Sequence, residues 1–419
     1  MNVIDVLPDH LLVRILSLLP TKTVFDAQIV CKRWKNLWKR LSSLNYDRAS
    51  HNSEDQFLEF MDRTMKSLDS PVLESLSLRL APTETNYRVV LMNDLLVKGH
   101  LRKLDLVGTN PDRSVLAKEA FQFHTLVILM LESLSLEDYY GFPISLLSLT
   151  ALQLTLVKYP NDESLSGVLS SLPSLQDLTL DRCISDKPIT TLAIVVPCLK
   201  RLTCVRCPDY CHLNHVIMLN VDAPCLNFLS IEEYWRTVSF ADRKMEKLIE
   251  ANVTVTFSNT EKLLRTLISA KRLSLCLVTS KIPHGNVVFD QLVRLEICTC
   301  QREWWILLER VLLDSPKLRF LKLHQKNSFR IIDPHAIWKE PSSVPKCFAS
   351  HLETFEWRGY KGTHEEINLA SYILRNAWRL KTATINLHPE VSLMMIRPLK
   401  IMELLAMPKA STSCQLVIQ

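Results

Sequence analysis

Two segments carry side chains whose types and spacing suit chemistry. Cys204-x2-Cys207-x3-Cys211-His212-x2-His215 brings thiols and imidazoles together at intervals that suit a tetrahedral zinc ion. His364-Glu365-Glu366-Ile367-Asn368 nearly matches HExxH, in which two histidines four apart on one helix face hold zinc. Asn368 stands where the second histidine must be, so a ligand is missing and the metalloprotease reading fails. Glu365 and Glu366 instead suit the positive end of a helix dipole. No GxSxG elbow occurs. Neither GxGxxG nor GxxxxGK[ST] occurs, and only 7 glycines serve the whole chain, so phosphate-cradling loops are excluded. These residues point to no catalytic site and no cofactor.

The surrounding pattern explains the cysteines differently. Beyond Ser70 one unit recurs: L-x-x-L-x-L, or a near variant. It runs through Leu73/Leu76/Leu78, Leu101/Leu104/Leu106, Leu126/Leu129/Leu131, Leu149/Leu152/Leu154, Leu175/Leu178/Leu180 and Leu199/Leu202/Cys204. It continues at Leu226/Leu229/Ile231, Leu248/Ala251/Val253, Ala270/Leu273/Leu275, Leu292/Leu295/Ile297 and Leu318/Leu321/Leu323. Weaker copies follow at Leu352/Phe355/Trp357 and Leu380/Ala383/Ile385. The period of roughly 22–28 residues is that of leucine-rich repeats.

The alternating part of each unit is a short strand with one apolar face, which only a neighbouring copy can bury. Stacked copies predict a curved parallel sheet, with helix or loop returning behind it. Pro173, Pro197, Pro224 and Pro316 each stand two residues before a strand leucine and close the preceding return segment. In this register Cys183, Cys207 and Cys300 take the N/C position after the strand, and Cys204 takes an inward position. Cys198 and Cys225 follow the prolines. The cysteines therefore have structural slots, and no bound metal is expected. Recognition falls to outward strand positions and loops, with Trp235, Arg236, Arg272, Arg302, Trp304 and Trp305 as exposed-looking candidates.

At the N-terminus, Pro8 suits a first helical turn. Leu11, Leu12, Ile15, Leu16, Leu18 and Leu19 then cover nearly two apolar stripes where one is usual, so this short helix needs a second partner. Pro20 ends it. Thr21 and Thr23 are candidate caps for a second helix through Val30. A third helix carries Cys31, Trp34, Leu37 and Trp38 on one side, with Lys32, Arg33, Lys35, Lys39 and Arg40 around it. The basic cluster reads as a solvated helix face, suited also to an acidic partner surface, in preference to a nucleic-acid patch. Phe57, Phe60, Met61, Thr64 and Leu68 mark a connecting helix within Ser53–Asp69. Val344 to Ile385 parses as strand, glycine turn (Gly359, Gly362), helix (Glu365 to Trp378) and strand.

The chain has 419 residues, 47% hydrophobic and 22% charged, with a net charge of +6: a globular composition with a mild basic balance. No apolar run is long enough for a transmembrane helix, and no signal peptide is expected, because Arg14 interrupts the first apolar run and no basic start precedes it. A cytoplasmic or nuclear protein with reduced thiols is expected.

The string LPDHLLVRILSLLPTK, followed by VCKRWKNLW, resembles the F-box. Val344 to Ile385, with ASTSCQL at Ala410 to Leu416, resembles the FBD domain of a large plant F-box family. The resemblance implies a chain of F-box (1–45), connecting helix (46–70), leucine-rich-repeat solenoid (71–340) and repeat-like FBD cap (341–419): an α/β chain beginning with three helices. It implies that Leu7, Pro8, Leu11, Leu12, Ile15, Leu16, Leu19, Pro20, Val30, Cys31, Lys32 and Trp34 bind a Skp-type adaptor or form the motif core. Through the adaptor come cullin and RING subunits of a ubiquitin ligase, and the repeats would hold an unidentified target protein. Neither nucleic acid nor membrane is an expected partner. The family's small aliphatic residues give way to TVFDAQI, so Phe25 and Gln28 are expected to weaken or retune the adaptor contact. The alternative is a repeat scaffold whose F-box no longer recruits a ligase.

Overall fold

The structure, a computed structural model, describes residues 7–28, 34, 36–69, 73–80, 100–111, 116, 118–136, 143–185, 191–205, 218–232, 237–240, 245–255, 260–277, 287–300, 304–325, 338–389 and 397–419. It falls into two compact units, one reaching to Leu199 and one from Lys200 onward.

The first unit opens with α1 (Asp9–Leu16), α2 (Thr21–Ala27) and a 3-10 turn at Leu37–Arg40. α3 (Glu54–Lys66) is the expected connecting helix. The Ser53 hydroxyl accepts from Gln56 N at its start, with Glu54 and Asp55 in the first turn and Arg63 and Lys66 in the last, as the helix dipole favours. Six parallel strands form its sheet: β1 (Ser43–Asp47), β2 (Ser75–Arg79), β3 (Lys103–Val107), β4 (Ile128–Glu132), β5 (Ala151–Thr155) and β7 (Asp177–Asp181). Leu44, Leu76, Leu104, Leu129, Leu152 and Leu178 stand opposite one another as a continuous buried row.

β1 was not among the expected strands. Its unit, Leu41-x-x-Leu44-x-Tyr46, ends in tyrosine where leucine is usual. The buried Tyr46 hydroxyl finds Thr64 Oγ1 of α3 at 2.7 Å, so the polar end of the ring is satisfied.

Behind this sheet lie β6 (Lys158–Tyr159) paired with β8 (Ile184–Ser185), α4 (Asp162–Ser170) and β9 (Thr191–Val195). The chain leaves β4, β5 and β7 through the same corner each time. Ser133, Leu156 and Arg182 take left-handed φ values of 54°, 52° and 51°. Glycine suits that geometry best, and none of the three is glycine.

The second unit repeats the rule. β10 (Arg201–Val205), β12 (Phe228–Glu232), β14 (Glu250–Val255), β15 (Arg272–Leu277), β16 (Arg294–Cys298), β17 (Phe320–His324), β18 (Thr354–Tyr360), β19 (Thr382–Leu387) and β20 (Gln415–Ile418) pair in parallel, each with the next. All thirteen expected copies form strands, and their leucine-position residues are buried. β20 is an addition: Leu416 and Ile418 stand opposite Ala383 and Ile385 of β19. The return segments carry α5 (Thr260–Thr266), α6 (Trp304–Leu313), α7 (Lys346–Ser350), α8 (His364–Asn376) and α9 (Arg397–Leu405). Two return segments use strands where helix or loop was expected: β11 (Met218–Asp222), between β10 and β12, pairs with β13 (Thr237–Phe240), between β12 and β14.

The prolines do what their fixed φ allows. Leu175 N donates to Leu172 O, Leu199 N to Val196 O, Leu226 N to Ala223 O and Leu318 N to Ser315 O. Each bond closes a turn with proline at its second position, where φ near −65° is preset. Repeats lacking proline keep the bond, as in Leu292 N to Phe289 O.

In the C-terminal block, Gly359 and Gly362 have φ values of 79° and 70°. A Cβ on Gly362 would lie 2.7 Å from Lys400 Cδ, so the position is closed to side chains twice over. Thr363 and Glu366 form a capping box on α8, and the Glu366 carboxylate also takes the amides of Lys361 and Gly362. The acidic pair of the near-HExxH string thus builds a helix start. Burial pushes the Glu366 carboxyl above its ordinary range against those hydrogen bonds. The inner face of α8 is Leu369, Ala370, Tyr372, Ile373, Leu374 and, just beyond it, Ala377, with Ile367 only half-buried.

Thr363→Ala removes the cap and is expected to cost about 1 kcal/mol locally. Hydrogen exchange should show faster amide exchange along α8, with β10 to β15 unchanged.

Candidate functional site

The N-terminal helices are built around two prolines. The amides of Leu11 and Leu12 donate to Pro8 O, and Val24 N donates to Pro20 O, so each proline stands directly before a helix it presets. Pro20 therefore starts α2 as well as ending the turn after α1. Thr21 is consequently not the cap expected from the sequence. It lies inside the first turn, buried, and its Oγ1 accepts from Asn45 N of β1 at 2.8 Å. Asp9, at the positive end of α1, lies 3.6 Å from Arg40. Among the described residues the third helix is represented by the 3-10 turn Leu37–Arg40.

The two apolar stripes of α1 separate cleanly. Leu12 and Leu16 are 1% exposed and form a core with Val24, Leu37, Trp38 and Leu41. Leu7, Val13, Phe25, Trp34 and Leu68 pack against that core, partly buried. On the other side of α1 Leu11 is 38% exposed and Ile15 45%, and in the turn that follows Leu18 is 80% and Leu19 36% exposed, with Pro8 and Pro20 exposed beside them. Of the expected contact residues, Leu12 and Leu16 thus belong to the internal core. Pro8, Leu11, Ile15, Leu19 and Pro20 are presented to solvent. Val30, Cys31 and Lys32 lie outside the described residues.

Phe25, the residue that departs from the family pattern, packs at a joint between helices. Its ring meets Trp38 edge-on at 5.7 Å and Phe60 at 5.5 Å, with the Arg63 guanidinium over it at 5.7 Å. It joins α2 to α3, so the unusual residue serves the joint to the connecting helix. Lys22 donates to Ser50 O, and Asp69 N donates to Lys39 O at 2.9 Å. The helices are therefore pinned to the first strand and to the end of α3.

A second candidate surface is the outward face of the strands in the second unit. Its three rows are in register. Arg201, Phe228, Glu250, Arg272, Arg294 and Phe320 form one; Ser274, Glu296, Lys322 and Glu356 fall in the next; Cys276, Cys298, His324 and Arg358 fall in the third. Guanidinium groups lie over aromatic rings at two places: Arg201 on Phe228 at 4.3 Å and Arg294 on Phe320 at 3.7 Å. Glu296 takes Arg294 at 2.7 Å and Lys322 at 2.9 Å. Burial raises the Glu296 carboxyl, but Lys322 and Arg294 together hold it below its ordinary range. These pairs therefore persist at neutral pH and are lost only as pH falls through that lowered value.

Arg272 is on this face, bound to Glu250 at 2.7 Å. Trp304 and Trp305 are not. Each is 8% exposed, in α6 with Leu307, Leu308, Val311 and Leu312, and Trp304 meets Trp357 edge-on. The WWILLERVLL helix is apolar on most of its surface and is buried accordingly. Trp235, Arg236 and Arg302 lie outside the described residues.

The zinc-like segment also lies largely outside them: Cys204 is described, buried inward on β10, while Cys207, Cys211, His212 and His215 are not. A different thiol group comes together, Cys276, Cys298 and Cys300. Sequence reasoning missed it although a signal was present. Cys276 and Cys298 are one repeat period apart, so the ladder sets them side by side.

Family models match at three places. The F-box domain covers residues 4–46, the LRR repeats of FBD-associated F-box protein At5g56370 cover 89–253, and FBD covers 340–385. The Arabidopsis thaliana F-box/FBD/LRR-repeat protein At5g56420 is 39% identical over 419 residues, 98% of this chain and 97% of its own. The chain belongs to the plant F-box/FBD/leucine-rich-repeat family. FBD-associated F-box protein At5g56370 of the same plant is 36% identical, with 100% of both chains covered. Probable FBD-associated F-box protein At1g32375 is 38% identical over 92% of this chain and 93% of its own. No enzymatic activity appears in these names, and the F-box and repeat domains are those of a non-catalytic, substrate-adaptor-like protein. Among the described residues no helix is long and apolar enough to cross a membrane.

Leu12→Ala and Leu16→Ala are each expected to cost about 2–5 kcal/mol of stability in the N-terminal helices, while Ile15→Ala should cost well under that. Proteolysis of the chain followed by mass spectrometry checks this: new cuts within residues 7–40 should appear in the first two variants only.

Proposed function

We propose that this chain is the substrate-recognition subunit of an SCF-type cullin ubiquitin ligase. The exposed stripe of α1 docks a Skp-type adaptor, which brings the cullin and RING subunits. The outward face of the strands and the C-terminal block hold a target protein. Ubiquitin is transferred by other subunits and a conjugating enzyme, so this chain acts by holding its target close to them. In this reading residues 1–45 are the docking module, 46–70 its connector, 71–340 the recognition array and 341–419 the closing domain, in a protein of the cytoplasm or nucleus.

One observation carries the docking assignment. A helix of 8 residues has its internal stripe fully satisfied by Leu12 and Leu16, yet continues with four large apolar residues facing solvent. Surface leucines scattered singly are ordinary, but Leu11 and Ile15 stand four apart on α1, and exposed Leu18 and Leu19 carry the apolar run on through the turn after it, between two exposed prolines. That is the geometry of a helix laid into an apolar groove. The F-box match over the same residues supports a Skp-type adaptor as the owner of that groove. Val30, Cys31, Lys32 and Trp34 complete the proposed contact from the second half of the motif.

Titration calorimetry of the full chain with a purified Skp-type adaptor tests the proposal. Pro8→Ala combined with Ile15→Ala is expected to weaken binding at least tenfold, a loss of about 1.4 kcal/mol or more, because central apolar contacts dominate an interface. Lys39→Ala should change it little. Because neither Pro8 nor Ile15 belongs to the core, the double variant should keep the wild-type far-UV spectrum. A wild-type chain that does not bind, where a known F-box protein does, overturns the ligase assignment and leaves a repeat scaffold with a non-recruiting F-box.

A further inference from the structure

The thiols of Cys276, Cys298 and Cys300 lie within 4.8 Å of one another on the outward side of β15 and β16. Cys298 Sγ is 2.8 Å from Cys300 Sγ, which is 3.3 Å from Cys276 Sγ. The ladder builds the group. Leu275 stands opposite Ile297, and the next residue on each strand is cysteine, pointing away from the apolar core. Two residues later Cys300 lies in the turn after β16. That turn is pinned to the next strand by Thr299 N donating to His324 O at 2.9 Å. Cys276 and Cys298 are buried, and Cys300 is partly exposed, which leaves one side of the group open to solvent.

Buried cysteines elsewhere in the chain behave as small apolar residues with one weak donor. Cys183 Sγ lies 3.4 Å from Leu154 O and Cys347 Sγ 3.8 Å from Leu312 O. Here three sulfurs face each other instead. Tetrahedral zinc with zinc–sulfur bonds of about 2.3 Å needs sulfurs roughly 3.8 Å apart, wider than the 2.8 and 3.3 Å spacings here, so the thiolates would part by up to about 1 Å around the ion. Hard cations prefer oxygen, so a set of three thiols selects a soft or borderline ion.

We propose that Cys276, Cys298 and Cys300 form a site for a single thiophilic d10 cation of the zinc class, with water in the fourth position. His324, in register opposite Cys298, is the neighbouring side chain on that face. On binding, each thiol releases its proton to solvent as a sulfur–metal bond forms, and the ion sheds hydration water in exchange. No electrons are transferred. The site would cross-link β15, β16 and the turn after β16, fixing part of the outward face of the second unit. It is independent of the docking assignment for α1.

Cobalt(II) titration of the full chain, purified under a thiol reductant, tests the site. One equivalent should produce an intense thiolate-to-cobalt charge-transfer band, and zinc should abolish it. Cys300→Ser, at the partly exposed position, should lose the band. Cys198→Ser, at an exposed turn, and the pair Cys207→Ser with Cys211→Ser should keep it. As a check that needs no variant, zinc should protect Cys276, Cys298 and Cys300 of the wild-type chain from alkylation, read by peptide mass spectrometry. Absence of the band in wild type overturns the proposal, as does an unchanged band in Cys300→Ser. A Cys298–Cys300 disulfide persisting under the reductant also overturns it.

Discussion

A five-residue strand with two inward leucines has nothing of its own to cover them. That constraint shapes nearly every feature of this chain. Each rung hides its apolar face only because the rung on either side presents the same residues at the same height, so the register must be kept from repeat to repeat. The turns before the strands serve that register, with proline or without it, by bringing the chain into each strand at the same residue. The left-handed corners at Ser133, Leu156 and Arg182 do the same at the exit of three strands. In a chain with so few glycines, the neighbouring rungs hold these residues in a conformation that ordinary side chains take only at a cost.

The N-terminal module obeys the same economy at smaller scale. Three short helical segments cannot build a large core, and this one uses six residues, five from those segments and Leu41 just after the last. It borrows further support from its neighbours. Thr21 binds the backbone of β1, Phe25 sits between Trp38 and Phe60, and Tyr46 reaches α3. The helices are thus part of the first repeat unit, and all of β1 but Asp47 lies within the residues that match the F-box. An apolar stripe on α1 can stay in solvent because this anchorage does not need it.

Legibility in the sequence followed the strength of the repeating constraint. Thirteen strands could be read because leucine at three fixed positions, recurring at one period, is what stacked strands demand and helices do not. The first and last rungs escaped for a physical reason: terminal repeats have one neighbour instead of two, and their residues are adapted to that. Tyr46 replaces a leucine to meet Thr64, and on β20 the inward residues Leu416 and Ile418 are only half-buried. The direction a helix faces was harder. Nothing in WWILLERVLL says which side is buried when nearly every side is apolar, so the tryptophans read as surface candidates. For α1 the excess of apolar residues was visible, but which stripe turned inward required the structure. Capping was legible as a type of interaction and not always as a position, since Glu366 serves a helix start as expected whereas Thr21 does not. The thiol group was missed because cysteines were weighed by separation along the chain, whereas a ladder makes residues one period apart into neighbours.

The rows on the outward face have a consequence for how such a protein diverges. Along the strands of the second unit, residues such as Arg272, Lys322 and Glu356 occupy positions that most of the inward packing does not use. Exchanging one of them alters the chemistry offered at a single known height and column of the surface, while the buried ladder beneath is left as it was. Selection can therefore rewrite what that surface presents one residue at a time, without passing through unfolded intermediates. If α1 docks a partner as proposed, it has no such freedom: Leu12 and Leu16 are bound to the interior and its exposed apolar residues would be held by the partner, so both sides of one short helix are constrained at once. A lineage built this way would change its outward strand face far more quickly than its first helix.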